Sequence, residues 1–234
     1  MSSIADNIGS VTRRIQKATL QAGREPQAVH LLAVSKTRPP EDLREAFAAG
    51  QHAFGENYLQ EALEKMEALS DLDGIEWHFI GPIQSNKTRQ IASAFAWVHS
   101  VDRLKIARRL SEQRDAGLQP LNICLQVNIN EEESKSGCTL GELPGLVDEI
   151  GELPNLKLRG LMAIPDPDQA EAGLRASFRV LANTLKQLRS DYPEAGPLDT
   201  LSMGMSDDLE IAVAEGATWV RVGTALFGQR PVKS

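Results

Sequence analysis

Hydrophobic positions along this chain follow two alternating periods. Residues 3–22 carry Ile4, Ile8, Val11, Ile15 and Ala18 at spacings of three and four, the stripe of an amphipathic helix. From residue 29 onward, short apolar runs alternate with helical stripes. The runs at 29–37, 52–57, 75–81, 97–101, 121–129, 156–164, 200–205 and 219–224 predict strands. The stretches 39–49, 58–69, 86–95, 103–115, 140–152, 172–190 and 207–215 predict the helices between them, and Leu226-Phe227-Gly228 leads into the tail. Punctuation agrees with the periods: Pro39 and Pro40 open the first of these helices, Glu41 and Asp42 sit in its first turn, and Gly50 follows its end.

Strict alternation of strand and helix implies a parallel sheet, and eight units of this length predict an α/β (β/α)₈ TIM barrel. A doubly wound sheet is the competing architecture, but no G-x-G-x-x-G follows a strand and no change of composition divides the halves. The chain is also short for such a barrel. The prediction is therefore one domain over 1–234, with the barrel at 29–230 and an extra N-terminal helix at 3–22.

Composition narrows the partners. A net charge of −7 and basic residues at most in pairs (Arg13-Arg14, Arg108-Arg109) argue against nucleic acid and anionic membranes. The 234 residues contain no span of bilayer length and no leader pattern at the start. Two cysteines, Cys124 and Cys138, suggest neither a disulfide framework nor a zinc site, so a reducing cytoplasm is expected. The four histidines (His30, His52, His78 and His99) show no metal-ligand spacing.

The first strand ends in Leu31-Leu32-Ala33-Val34-Ser35-Lys36-Thr37. Alternation puts Leu32, Val34 and Lys36 on one face, so Lys36 tops an apolar column at the strand's C-terminal end. In a (β/α)₈ barrel that end is where sites form. A lysine there either snorkels into water or serves as a partly desolvated amine for Schiff-base chemistry. Strand seven runs into Ser202-Met203-Gly204-Met205-Ser206 and strand eight into Val220-Arg221-Val222-Gly223-Thr224. Small residues and hydroxyls thus stand where barrels bind phosphate, with Ser206 also suited to cap the next helix. Asp207 and Asp208 would oppose a phosphate unless they point outward. Closure brings strand eight beside strand one, and Arg221 shares a face with Trp219 and Gly223. An imine lysine, a phosphate seat and an arginine able to meet a pyridine nitrogen are together what pyridoxal 5′-phosphate (PLP) requires. A Schiff-base aldolase would want the first two and have less use for the third.

These residues carry a resemblance. The chain resembles the pyridoxal phosphate homeostasis protein family from about residue 4 to residue 230, and that family's fold is similar to the barrel domain of alanine racemase. The likeness rests on Ala33-Val34-Ser35-Lys36-Thr37, Phe54-Gly55-Glu56-Asn57-Tyr58 and the long segment from Trp77-His78-Phe79-Ile80-Gly81-Pro82 to Lys87. It continues through Ser134-Lys135-Ser136-Gly137, Arg159-Gly160-Leu161-Met162-Ala163-Ile164, Leu201–Asp208 and Val220–Thr224. The resemblance implies that Lys36 holds the cofactor as an internal aldimine. It further implies that Ser206, Gly223 and Thr224 take the phosphate and that Arg221 lies near the pyridine nitrogen. Asn57 and Met162 join the cofactor-binding set, against competing roles as a helix cap and as core packing. Lys135 is either an exposed charge after Glu131-Glu132-Glu133 or an accessory cofactor lysine. Arg38 stands where many relatives carry a second lysine, so positive charge is kept and the amine is not.

Three classes of function follow: a PLP-binding carrier or regulator, an amino-acid racemase, and an aldolase-like lyase on a sugar phosphate. Racemization by two bases needs a second acid–base group opposite the lysine, which racemases of this fold draw from another domain. Here only Tyr58 and Tyr192 are available. The preferred expectation is a cytoplasmic protein without turnover that serves PLP and vitamin B6 homeostasis. The resemblance implies a monomer, and a carrier role makes apo-forms of PLP-dependent enzymes the partners to expect.

Overall fold

The computed structural model describes residues 2–130, 136–166 and 168–229. Eight parallel strands close a barrel in chain order: β1 His30–Val34, β2 Ala53–Glu56, β3 Glu76–Phe79, β4 Trp97–Val101, β5 Leu121–Val127, β6 Leu156–Ala163, β7 Thr200–Ser202 and β8 Trp219–Val222. The helices are α1 Ile4–Gln21, α2 Pro40–Ala48, α3 Leu59–Ala68, α4 Thr88–Ala94, α5 Leu104–Gln113, α6 Leu143–Gly151, α7 Glu171–Asp191, α8 Leu209–Ala214 and α9 Thr224–Phe227. Every predicted strand and helix is present. Helices α4 and α6 are each entered through a 3₁₀ turn, Ser85–Lys87 and Leu140–Glu142.

The ends differ from the sequence reading in three places, each with a local cause. Strand β7 stops at Ser202 rather than 205, because Gly204 adopts a φ of +93° that leaves the strand. Ser206 is not the cap of the next helix. The capping position of α8 is Asp208, whose Oδ1 turns back to accept the Met205 N–H at 2.5 Å. The segment read as tail after strand eight instead coils into α9, with Gly223 at its start.

The N-terminal helix has a definite place. Ser3 and Asp6 form a reciprocal capping box that starts α1, and Ile8, Val11, Ile15 and Ala18 make its buried stripe. That stripe packs against α2, α8 and α9. Among the described residues β8 leads into the four-residue α9, and α1 packs beside it in the helical ring, against α9, α8 and α2.

Most buried apolar side chains lie between sheet and helices, with Phe54, Phe79, Phe95 and Phe178 the largest of them. The barrel interior is filled separately. Leu32, Ala53 and Trp219 form one small cluster and Trp97, Cys124 and Met162 another, with buried polar residues between. Met162 reaches this interior because β6 bulges: the pairing Ile123↔Leu158 steps to Cys124↔Gly160 on the neighbouring strand. Arg159 is the extra residue. Leu158 consequently points outward into the helix-facing core while Met162 points inward, so the single face expected for Leu158, Gly160 and Met162 is split. Gly160 permits the bulge. Its φ is +154°, and a Cβ there would fall 1.9 Å from the Thr200 carbonyl oxygen.

Among the described residues no helix is long and apolar enough to cross a membrane, and no group of His, Cys, Asp and Glu is arranged to hold a metal ion. Cys124 and Cys138 are buried free thiols whose ionisation burial pushes upward, that of Cys138 to about 12. Both are inert packing residues in this environment.

Candidate functional site

Closure of the barrel pairs Leu32 with Arg221 and Ala33 with Val222. Two segments nearly two hundred residues apart thereby meet at the C-terminal mouth. There a cavity of about 460 Å³ opens, lined by Lys36, Asn57, Ser206, Arg221, Gly223 and Thr224, with Val34, Ile80 and Ile164 among its apolar residues. The size suits a small cofactor. Six of the seven residues singled out in the sequence are gathered there. Met162 is not on that wall: it is fully buried in the barrel interior against Trp97 and Cys124. Lys135 lies outside the described residues.

Lys36 sits just past β1, and both of its neighbours in the chain are clamped from below. Ser35 donates its hydroxyl to Glu56 at 2.6 Å, and its carbonyl accepts from Lys65 Nζ at 2.7 Å. Thr37 donates its backbone N–H to Glu61 at 2.5 Å and holds a φ of +63°, a left-handed conformation unusual for a β-branched residue. Lys65 Nζ ties the three anchors together, reaching Glu56 at 2.8 Å and also Glu61. Glu56 is fully buried and Lys65 only 3% exposed. Burial outweighs the neighbouring lysine and keeps the Glu56 carboxyl above its usual range. Nothing in the spacing of polar residues marked Lys65 as an interior group. Its pairing with Glu61 at i, i+4 reads equally well as a surface ion pair.

Arg221 forms part of the floor. The residue is 5% exposed, and its guanidinium donates to Ser202 O at 2.6 Å, Ser202 Oγ at 2.9 Å and Ala163 O at 3.0 Å. All three acceptors are uncharged. Burial lowers its pKa to about 10, so it remains a cation near neutrality with donors to spare for a ligand. Arg14 reaches the rim from α1, donating to the Ser206 carbonyl at 2.9 Å and pairing with Glu210. Arg38 borders the other side and donates to the carbonyls of Gly228 and Gln229. Sequence reasoning did not point to Arg14, since α1 looked like an accessory helix.

The wall thus carries Lys36, Arg14, Arg38 and Arg221 against one acidic lining residue, Asp207, in a chain of net charge −7. Asp207 is exposed and Asp208 is turned into its own loop. A pocket this positive on an acidic protein selects anions. Asn57 also lines the cavity, and its Oδ1 is buried and accepts no hydrogen bond from the protein. Asn57 does not cap α3, whose capping position is Tyr58. It is pressed into place by the loop after β3, where a Cβ on Gly81 would stand 2.2 Å from the Asn57 carbonyl oxygen and 2.7 Å from its Cα.

Comparison with known proteins supplies the context. Residues 7–231 match the alanine racemase N-terminal domain family. The chain is 62% identical to a pyridoxal phosphate homeostasis protein of Pseudomonas aeruginosa, covering 98% of this chain and 97% of that one. It is 50% identical to the protein of the same name in Escherichia coli, over 98% of each. Among solved structures, PipY of Synechococcus elongatus with PLP bound superposes with a TM-score of 0.85 at 38% identity, covering 97% of this chain and all of that one. Alanine racemase of Corynebacterium glutamicum shares the fold, with a TM-score of 0.68 at 18% identity, and this chain spans 61% of its length. On identity sustained across almost the full length of both chains, this protein belongs to the pyridoxal phosphate homeostasis protein family, built on the alanine racemase N-terminal domain fold.

Proposed function

We propose that this chain binds PLP through a Schiff base on Lys36 and acts in intracellular PLP and vitamin B6 homeostasis as a carrier or regulator. The observation that carries the reading is the meeting of Lys36, Arg221, Ser206 and Thr224 around one cationic cavity. The residues suit the group. The Lys36 amine would condense with the cofactor's aldehyde, losing water, and Ser206, Gly223 and Thr224 would hold the phosphate at the β7 and β8 loops. Arg221 would lie near the pyridine nitrogen, and Asn57 would offer its unpaired amide oxygen to the ligand. Met162, from inside the barrel, would support the floor under the ring through packing. When bound, PLP supplies an electron sink for amino-acid chemistry.

Several features favour holding the cofactor over turnover. A cationic donor opposite the pyridine nitrogen opposes its protonation and weakens the electron sink. Neither tyrosine lines the cavity: Tyr58 is 54% exposed at the start of α3, and Tyr192 sits at the end of α7. The reading further makes apo-forms of PLP-dependent enzymes the recipients, with this chain working as a monomer in the cytoplasm.

The test is the absorbance spectrum of the purified chain with added PLP, beside Lys36→Ala, followed by borohydride reduction and peptide mapping. A long-wavelength band confined to the wild type, with the label on Lys36, supports the assignment. Absence of the band at saturating PLP overturns it. An amino-acid racemization assay on the same sample separates carrier from enzyme, and steady turnover abolished by Lys36→Ala would overturn the carrier role.

A further inference from the structure

A line of hydrogen-bonded side chains, half-exposed at Glu76 and buried beyond it, crosses the barrel from its N-terminal mouth to the cavity floor. Glu76 Oε1 lies 2.8 Å from His78 Nε2, His78 Nδ1 lies 2.9 Å from His99 Nε2, and His99 Nδ1 lies 2.7 Å from Ser202 Oγ. Ser202 Oγ in turn accepts from Arg221 Nη1 at 2.9 Å. His78, His99 and Ser202 are fully buried, and both imidazoles are wedged among tryptophans. His78 stacks on Trp97 with ring centroids 5.4 Å apart and leans on Trp219 at 4.8 Å, while Trp97 also contacts His99.

The carboxylate end sets the direction of every bond along the line, and the arginine end is compatible with it. Arginine only donates and a carboxylate only accepts. Burial lowers the pKa of both histidines, so both rings are neutral near pH 7, and the His78 N–H holds the Glu76 carboxylate below its usual range. With Glu76 ionised, His78 must carry its proton on Nε2, which leaves Nδ1 to accept. His99 must then donate from Nε2, which leaves its Nδ1 to accept the Ser202 hydroxyl proton. That hydroxyl, its own proton committed, accepts from Arg221. Reversing any link places two acceptors, or two donors, face to face inside the barrel.

We infer that Ser202 and His99, backed by His78 and Glu76, are positioning residues for Arg221: a one-way hydrogen-bond chain that fixes its guanidinium on the cavity floor and commits it as a donor there. The inference rests on the reading that this cavity takes PLP with Arg221 beside its ring. It deepens that reading by naming what holds the arginine. A guanidinium anchored by carbonyls alone can rotate among acceptors; the chain through Ser202 removes that freedom.

Two measurements test it. In the full-length, cofactor-free chain labelled with ¹⁵N, long-range ¹H–¹⁵N correlation near pH 7.5 reads the tautomers directly. The expected result is pyrrole-type Nε2 and pyridine-type Nδ1 on both His78 and His99. A protonated Nδ1 on either ring overturns the chain, with or without cofactor. The second measurement titrates PLP into Ser202→Ala, Ser202→Thr and His99→Gln, each first shown to be folded by circular dichroism. Ser202→Ala and His99→Gln are expected to move the long-wavelength band and weaken PLP binding about tenfold, the loss of one bond to a charged group, with Ser202→Thr close to wild type. An unchanged band and affinity in both disruptive variants overturns the positioning role. If wild type itself binds no PLP, the cofactor reading falls and takes the role with it, while the ring tautomers still report whether the chain exists.

Discussion

Lys65 donates from Nζ to the backbone carbonyl of Ser35 at 2.7 Å, so a buried ammonium holds the residue that immediately precedes Lys36. Through Glu56 and Glu61 the same ammonium stabilises the side chain of Ser35 and the backbone of Thr37. Lys65→Met leaves the Glu56 carboxylate buried without its counter-ion. A loss of about 3–5 kcal/mol is expected, as for other buried pairs broken on one side. Adding Glu56→Gln to that variant removes the uncompensated charge and should recover part of the loss. Urea unfolding of the two variants beside wild type checks both claims. A double variant no more stable than Lys65→Met would show that the clamp acts through hydrogen bonds alone.

Much of this arrangement could be read from the sequence, and the unread part has physical reasons. Strict alternation gave the barrel and its closure, and closure alone was enough to bring Lys36 to Arg221. The bulge in β6 was marked only by Gly160 inside a strand, a signal that Arg159 beside it did nothing to reinforce. Glu76 and His78, like Trp97 and His99, alternate with apolar neighbours and were readable as inward-facing pairs. That His99 meets Ser202 across the barrel depends on strand tilt and stagger, which no local pattern encodes.

The buried imidazoles make stability depend on pH in a stated direction. Burial lowers the pKa of His78 and His99 from the ordinary 6.5, so the unfolded chain binds protons that the folded chain refuses. Stability from this source is complete above about pH 6.5 and is lost as pH falls through that value toward the folded pKa values. Each ring contributes a slope of at most about 1.4 kcal/mol per pH unit. His99→Gln should remove one ring's share of the decline between pH 7 and pH 5.5. Urea midpoints across that range decide it, and an identical slope in the variant would mean that His99 titrates in the folded protein.

Gly81 has no room for a side chain, because the atoms nearest its missing Cβ are backbone atoms of Asn57. Gly81→Ala must displace that segment, at a cost of about 1–3 kcal/mol typical of overpacking. The displaced residue lines the cavity, so PLP binding should weaken together with stability. Binding that stays at the wild-type level in a destabilised variant would separate the loop's packing from the site.

Asn57 offers the opposite case. A buried oxygen without a partner costs about 1–3 kcal/mol, and Asn57 Oδ1 is such an atom in the ligand-free protein. Asn57→Ala removes that cost along with some packing, so the cofactor-free chain should be no less stable than wild type. The cost falls on the ligand if that oxygen accepts from it, as proposed above: PLP affinity should drop roughly five- to tenfold, about one hydrogen bond's worth. Thermal unfolding with and without PLP reads both quantities in one experiment, since a ligand that binds only the folded state raises the midpoint with its affinity. Wild type should gain more from PLP than the variant, from an equal or lower starting point. A variant that is much less stable without PLP, yet gains as much from it, would identify Asn57 as a structural residue and remove it from the site.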